Sequence, residues 1–339
     1  MADSFDYDAF APKVAVVGVG GQGSNLVNRL YSNGIKSADT IAMNTDIGHL
    51  NIIHANKKIL LGKEMTRGLG AGGFPEVAAK AAEMSKSEIE ASLQGYNLVF
   101  IAAGMGGGTG TGAAPIVAQV AKEMGATVIA TVTYPFGLER SRKQKAEWGI
   151  EQLNKQADSV IVVENDKLLS YVPNLPIEKA FELVDNVTGN AVKGIADTIT
   201  LPSLINLDFA DLANIVRNTG TAVISIGAGY GSDRVQQAIK STRTHPLLTV
   251  DYDGAKGALI HVEGGSNLTI SEATAIGNGI TEGLEGNANV IFGARMVPEL
   301  TDQIRVMSVV TGVKAKFGEK REEERHGPTL RMESMGRIW

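Results

Sequence analysis

Three dense glycine clusters limit what this chain can fold into. They are Gly18-Val19-Gly20-Gly21-Gln22-Gly23, Gly68-Leu69-Gly70-Ala71-Gly72-Gly73 and Gly104-Met105-Gly106-Gly107-Gly108-Thr109-Gly110-Thr111-Gly112. Glycine costs about 0.5–1 kcal/mol per residue in regular structure, so runs this dense need a reason beyond joining two elements. A linker would place them without regard to strands. Two of the three instead follow a strand-like run and precede a helix-like one. Lys13–Val17 is apolar and β-branched, and Ser24–Tyr31 then has helical spacing; Asn97–Ala103 reads as a buried strand, with Ala113–Met124 as the helix after it. Glycine at a strand-to-helix turn lets backbone N–H groups approach an anion at the positive end of a helix. Repeated within one chain, the device predicts a polyphosphate held from several sides. No Walker A pattern occurs and no cluster contains Lys, so the backbone must neutralise most of the phosphate charge.

The rest of the chain fits that prediction. Strand candidates at 13–17, 40–43, 57–62, 97–103, 126–133 and 159–163 alternate mostly with helical patterns, the signature of a doubly wound parallel α/β sheet. A long helix is predicted over about 177–200, with Ile177, Phe181, Val184, Val187, Ala191, Ile195 and Ile199 on one face. Beyond Leu201-Pro202, strand candidates at 221–228, 256–263, 289–296 and 303–312 share two helices, about 233–242 and 270–284. This reads as a second α+β domain, with the long helix as the joint. The expected division is a flexible 1–11, a nucleotide-binding domain at 12–176, the central helix at 177–202, the C-terminal α+β domain at 203–317 and a flexible tail at 318–339.

Composition removes several function classes. Hydrophobic residues make up 43% and charged residues 20%, enough to build a full core. There is no run of eighteen apolar residues and the first ten residues are acidic, so membrane insertion and secretion are not expected. The absence of Cys excludes disulfide scaffolds, thiolate zinc sites and cysteine nucleophiles, and the five His show no metal-ligand spacing. A net charge of -5 argues against nonspecific nucleic-acid binding. A cytoplasmic, reducing-compartment protein is expected. Alone, G-V-G-G-Q-G after a strand also fits an NAD site, with Asp46 holding the ribose. An oxidoreductase reading leaves the third cluster without a role and offers no obvious proton donor.

Gly106-Gly107-Gly108-Thr109-Gly110-Thr111-Gly112 matches the tubulin-superfamily signature, and its neighbours resemble the FtsZ family of prokaryotic cell-division GTPases. The resemblance runs in order through the first loop ending at Asn25, Asn44-Thr45-Asp46, Gly68 to Glu76, Pro135-Phe136, Asn165-Asp166-Lys167-Leu168-Leu169, Asn206-Leu207-Asp208-Phe209-Ala210-Asp211, Arg305-Val306 and Thr311-Gly312. It covers about residues 12–315. It implies a tubulin/FtsZ-like Rossmann-type GTPase domain, a central helix and a C-terminal α+β domain, binding GTP/GDP with Mg2+. By resemblance, Gly20, Gly21, Gly23 and Asn25 line the phosphates and sugar side. Gly104, Gly106, Gly107, Gly108, Thr109, Gly110 and Thr111 embrace the α- and β-phosphates, and Ala71, Gly72 and Gly73 meet the γ-phosphate. Asp46 lies near the magnesium. Glu139 holds the ribose, with a cation beside it at either Arg142 or Lys143. Asn165 and Asp185 read the guanine, and Phe181 stacks on it.

The same resemblance makes Asn206, Asp208 and Asp211 a catalytic loop acting on the next subunit's nucleotide, with self-association head to tail and location at the division site. From residue types alone, Asp208 and Asp211 fit an N-cap with an acidic first turn, and Phe181 fits a core position. Gln22 stands where the family usually has glycine, either crowding the phosphates or facing solvent. Leu330, Met332, Met335, Ile338 and Trp339 suit a short helix docking on a membrane-adaptor protein, or a disordered end. A cell-shape or accessory paralogue within the superfamily is the alternative to a division protein.

Overall fold

The computed structural model describes residues 12–167, 176–200, 208–217, 219–244, 250–251, 254–284, 286 and 288–315. The chain begins with β1 (Val14–Val19), α1 (Gly20–Ser32), β2 (Asp39–Asn44), α2 (Ile47–Ile52), β3 (Lys57–Leu60), α3 (Lys63–Thr66), α4 (Pro75–Met84) and α5 (Lys86–Leu93). There follow β4 (Leu98–Gly104), α6 (Thr109–Glu123), β5 (Thr127–Tyr134), α7 (Arg140–Gln156), β6 (Ser159–Glu164) and the long α8 (Ile177–Thr200). The last part holds α9 (Phe209–Val216), β7 (Gly220–Tyr230), α10 (Arg234–Thr244), β8 (Val250–Asp251), β9 (Gly257–Gly264), α11 (Ile270–Thr281), β10 (Asn289–Met296), β11 (Gln303–Thr311) and β12 (Lys314–Ala315).

Ten strands form one sheet in the order β10-β9-β11-β7-β6-β5-β4-β1-β2-β3. From β3 to β6 every pairing is parallel, and the strands at its centre are apolar, rich in β-branched residues and buried almost throughout, as a sheet covered on both faces requires. The C-terminal strands extend this sheet. β7 continues it in parallel through Ser159, Val160 and Ile161, and β11 runs antiparallel between β7 and β9. The second α+β unit foreseen in the sequence is thus bonded edge to edge with the first.

One face is filled by small residues of α4, α6 and α7, among them Ala78, Ala81, Val117 and Ile150. The other is filled by α1, α8 and α9 through Leu26, Val27, Ala191, Ile195 and Leu212. A smaller core of Ala238, Ile260, Val262, Ile276 and Val306 lies under α10 and α11. The long helix has the predicted limits, but Phe181 is 43% exposed instead of joining the core face.

The strand–turn–helix prediction holds with one difference. Both helices begin inside the glycines, at Gly20 and Thr109, earlier than Ser24 and Ala113. The first N–H groups of a helix have no intrahelical partner, so glycine costs little there, and its missing Cβ allows close approach.

Candidate phosphate- and base-binding site

The N-terminal ends of α1 and α6 meet at the C-terminal edge of β1 and β4. Gly20 has φ +76°, and a Cβ on it would stand 2.8 Å from Gly110 N and 3.3 Å from Thr109 Cβ. Only glycine lets these two helix ends come together, and together they aim two sets of orphan N–H groups at one place. The solvent-facing members of this mouth are Gly21, Gly107 and Thr109. A Cβ on Gly21 or Gly107 would meet nothing within 4 Å. The Thr109 hydroxyl is bonded to that of Thr45 at 2.7 Å, tying α6 to the loop after β2.

Other residues expected at the phosphates make packing and hydrogen-bond contacts within the loops themselves. Thr111 is fully buried, and its hydroxyl accepts the Gly106 N–H at 2.9 Å, bracing the loop from behind. Gly23 packs on the Ala102 carbonyl, and Gly104 lies under the side chain of Gln22. Gln22 thereby folds down onto β4, and its Nε2 is buried without a hydrogen-bond partner. A Cβ on Gly106 would strike Arg142 Cβ at 2.7 Å, and one on Gly108 would come within 3.0–3.1 Å of Phe74 N, Ala71 Cβ and Gly73 N. The turn at 71–74 therefore rests on the start of α6. Phe74 N–H closes it onto the Ala71 carbonyl at 3.0 Å, and its central Gly72 and Gly73, with φ +60° and +80°, are exposed. Two successive positive φ angles are what glycine alone adopts without strain.

Beside this mouth, Glu139 precedes α7. Its carboxylate accepts the Phe136 N–H at 3.2 Å and pairs with Arg142 at 2.8 Å. Of the two candidate cations, Arg142 is the one in contact with Glu139 and with the third cluster. Asp46 caps α2, accepting the His49 N–H through Oδ1 at 3.1 Å. No group of three or more His, Cys, Asp or Glu that would hold a metal occurs among the described residues.

Toward the base end, Asn25 Oδ1 lies 3.1 Å from His49 Nε2, whose Nδ1 lies 3.4 Å from Asn44 Nδ2. Asn165 is 4% exposed, and its Oδ1 has no hydrogen-bond partner. Phe181 meets Phe136 edge to face, with ring centroids 5.4 Å apart. Asp185, one turn along α8, is 8% exposed. Burial pushes its carboxyl from 3.8 up to about 7, against the opposing pull of the Arg29 guanidinium. Arg29 reaches across from α1 to donate to Asn186 at 3.0 Å and Glu182 at 3.2 Å. A buried acceptor amide, a buried carboxylate and an exposed ring suit guanine, which offers N1–H and N2–H2 as adjacent donors and two faces for stacking.

The remaining predicted residues are elsewhere. Asp208 caps α9, accepting the Asp211 N–H at 2.7 Å; it is exposed and Asp211 half-buried. The C-terminal end of α9 leads to Thr219, whose N–H bonds the carbonyl of Asp158 just before β6. That is the sheet edge opposite the glycine loops. Asn206 and the 318–339 tail lie outside the described residues.

Sequence reasoning missed Thr45, His49, Arg29 and Lys145. Lys145 donates to the Gly73 carbonyl at 2.7 Å and its Nζ sits 5.7 Å from the Phe74 ring centroid. None carries a spacing signal, because each acts on a partner from a different element. No helix among the described residues is long and apolar enough to cross a membrane.

Residues 13–173 match the Tubulin/FtsZ family, GTPase domain, and residues 220–314 the FtsZ family, C-terminal domain. The sequence is 55% identical over 306 residues to Cell division protein FtsZ 2 of Methanocaldococcus jannaschii, covering 89% of this chain and 80% of that one. It is 51% identical over 304 residues to Cell division protein FtsZ 2 of Haloferax volcanii, covering 90% and 76%. Among solved structures, an FtsZ dimer from M. jannaschii superimposes with a TM-score of 0.85 at 43% identity, covering 92% and 94%. CetZ2 from Haloferax volcanii, a GTPγS-bound protofilament, gives 0.77 at 21% identity over 96% and 97%, a likeness of fold.

Proposed function

The chain belongs to the tubulin/FtsZ family, within the FtsZ group of cell-division GTPases, and on that premise we propose that it hydrolyses GTP only where copies of it stack head to tail. GTP lies with its phosphates over Gly20, Gly21, Gly107 and Thr109, its ribose by Glu139 and its guanine against Asn165, Phe181 and Asp185. Asp46 assists Mg2+. Asn206, Asp208 and Asp211 of the next copy orient and polarise the attacking water. The filament scaffolds the division ring and reaches the membrane through an adaptor that binds the 318–339 tail.

One observation supports the assembly part: the helix that Asp208 caps runs on to the sheet edge opposite the glycine loops. From Asp185 to Thr200 the long helix runs fifteen residues, about 22 Å at 1.5 Å per residue. Asp208 follows beyond it, on the helix that leads to the opposite sheet edge. On this reading one copy carries a binding site at one end and a pair of carboxylates at the other. A contact joining unlike ends does not close on itself and yields filaments. Exposed apolar side chains around the mouth, Leu69 at 84%, Leu138 at 82% and Phe74 at 54%, offer the next copy an apolar surface. The relatives' shared description as cell-division proteins favours the ring over a cell-shape role.

The test is GTP turnover per molecule against protein concentration, with light scattering in parallel, for the wild type and Asp208→Ala. Turnover that rises from a threshold together with scattering, and disappears in a variant that still binds GTP, is expected. Turnover independent of concentration means each copy has a complete site and overturns the shared-site reading.

A further inference from the structure

The glycine clusters contain no Lys, yet an ammonium reaches the phosphate mouth from α7, 72 residues along the chain from the turn it touches. We propose that Lys145 is a positioning residue for nucleotide discrimination: by holding the Gly73 carbonyl it sets the 71–74 turn to receive the terminal phosphate of a nucleoside triphosphate, a contact that a diphosphate lacks. The inference rests on the nucleotide-site reading above and deepens it.

The geometry constrains the turn on three sides. Its ends are joined by the Phe74 N–H to Ala71 carbonyl bond at 3.0 Å. Its inner side lies on Gly108, at the start of α6, with Gly73 N and Phe74 N each 3.0–3.1 Å from where a Cβ on Gly108 would stand. Its outer side is held by Lys145, through the 2.7 Å bond to Gly73 O and the Phe74 ring under the ammonium. A cation over a ring is attracted to its face, so the ring helps aim the ammonium. Between these ties stand Gly72 and Gly73, exposed and at positive φ, where the backbone itself sets no strong preference. Without Lys145 the turn keeps the Ala71 bond and the Gly108 contact but loses its outer tie, which widens the range its two glycines can adopt.

The peptide plane makes the hold directional. A peptide unit is planar and trans, so fixing the Gly73 carbonyl fixes the plane that ends in the Phe74 N–H. The same ammonium adds positive charge at the part of the mouth that only a third phosphate reaches. The helix that carries it is itself anchored at the other wall, where Arg142 packs on Gly106. One rigid helix thereby spans the third cluster and the turn.

Lys145→Gln and Lys145→Arg separate this role from a structural one. Equilibrium binding of GDP and of a slowly hydrolysed GTP analogue is measured with Mg2+, and each variant's melting temperature is recorded. Lys145→Gln is expected to weaken the triphosphate about tenfold and the diphosphate by less than twofold, with Lys145→Arg restoring most of the loss. An equal loss for both nucleotides, or no loss for either, overturns the proposal while leaving GTP binding by the wild type intact. A wild-type protein that binds neither nucleotide overturns the site reading and this inference with it.

Discussion

Asp185 is a buried carboxyl whose proton affinity is raised by burial, and its replacement by Asn has a calculable effect. The carboxyl is 8% exposed, and burial raises it from 3.8 to about 7. Arg29 opposes that rise and Glu182 adds to it. The folded chain therefore binds this proton more tightly than the unfolded chain does. Between about pH 4 and 7 the native state is the more protonated one, so stability falls as pH rises through that window and levels off above it. At about 1.36 kcal/mol per pH unit, the cost reaches roughly 4 kcal/mol at pH 8 and roughly 2 kcal/mol at pH 5.5.

Asp185→Asn keeps the volume and removes the ionisation. With about 2.1 cal/mol/K of unfolding entropy per residue, the 339-residue chain has about 0.7 kcal/mol/K. Without nucleotide, the variant is then expected to melt about 6 °C above the wild type at pH 8 and about 3 °C above it at pH 5.5. Scanning calorimetry at the two pH values reads the difference directly. Added GDP should reverse the order at pH 8, because guanine supplies two N–H donors to the carboxylate and fewer to the amide. A melting difference that is the same at both pH values, or a variant less stable than the wild type at pH 8, refutes the claim that Asp185 is a buried charge awaiting a base.

Arg29→Gln removes the cation that keeps Asp185 ionised, so the pH midpoint for GDP binding should move upward and affinity at pH 7 should fall. Binding titrations from pH 6 to 9 that superimpose on the wild type would leave Arg29 a purely structural role. Gly112→Ala places a Cβ on the Pro75 carbonyl, whereas a Cβ on Gly107 meets nothing within 4 Å. The first should therefore lower stability by about 1–3 kcal/mol and the second should melt like the wild type while binding nucleotide less well; thermal melts in the opposite order would contradict the packing. Asp208→Asn retains a side-chain acceptor for the Asp211 N–H, whereas Asp208→Ala loses about 1 kcal/mol of helix capping. Turnover should vanish in both, and only Asp208→Ala should melt lower.

The fold was legible where a residue's neighbours in sequence are also its neighbours in space. Buried β-branched runs such as Val14–Val19 and Leu98–Gly104 and the apolar period of the 177–200 helix are local signals, and their elements appear at nearly the expected limits. The two helices after the glycine loops are expected four residues later than they begin, because propensity counts glycine against a helix. At the first turn the N–H groups are unpaired in any case, and close approach decides. The cation by Glu139 could not be settled by counting along the chain; with Glu139 as the residue before α7, Arg142 falls at the third helical position, from which a side chain reaches back to the cap.

The base site shows where local reading stops. The apolar period alone puts Phe181 on the core face, and its i,i+4 pairing with Asp185 in the matched segment points instead to the base. Outside any local signal, α1 crosses α8 and brings Arg29 to Glu182 and Asn186, 153 and 157 residues away along the chain. That crossing buries Asp185, raises its proton affinity and supplies the cation that opposes the rise. Each of these three effects depends on the packed pair of helices and on neither helix alone. A carboxylate poised near neutrality is thus a property of the α1–α8 interface, and substitutions on α1 that never touch the base should change how tightly it is held.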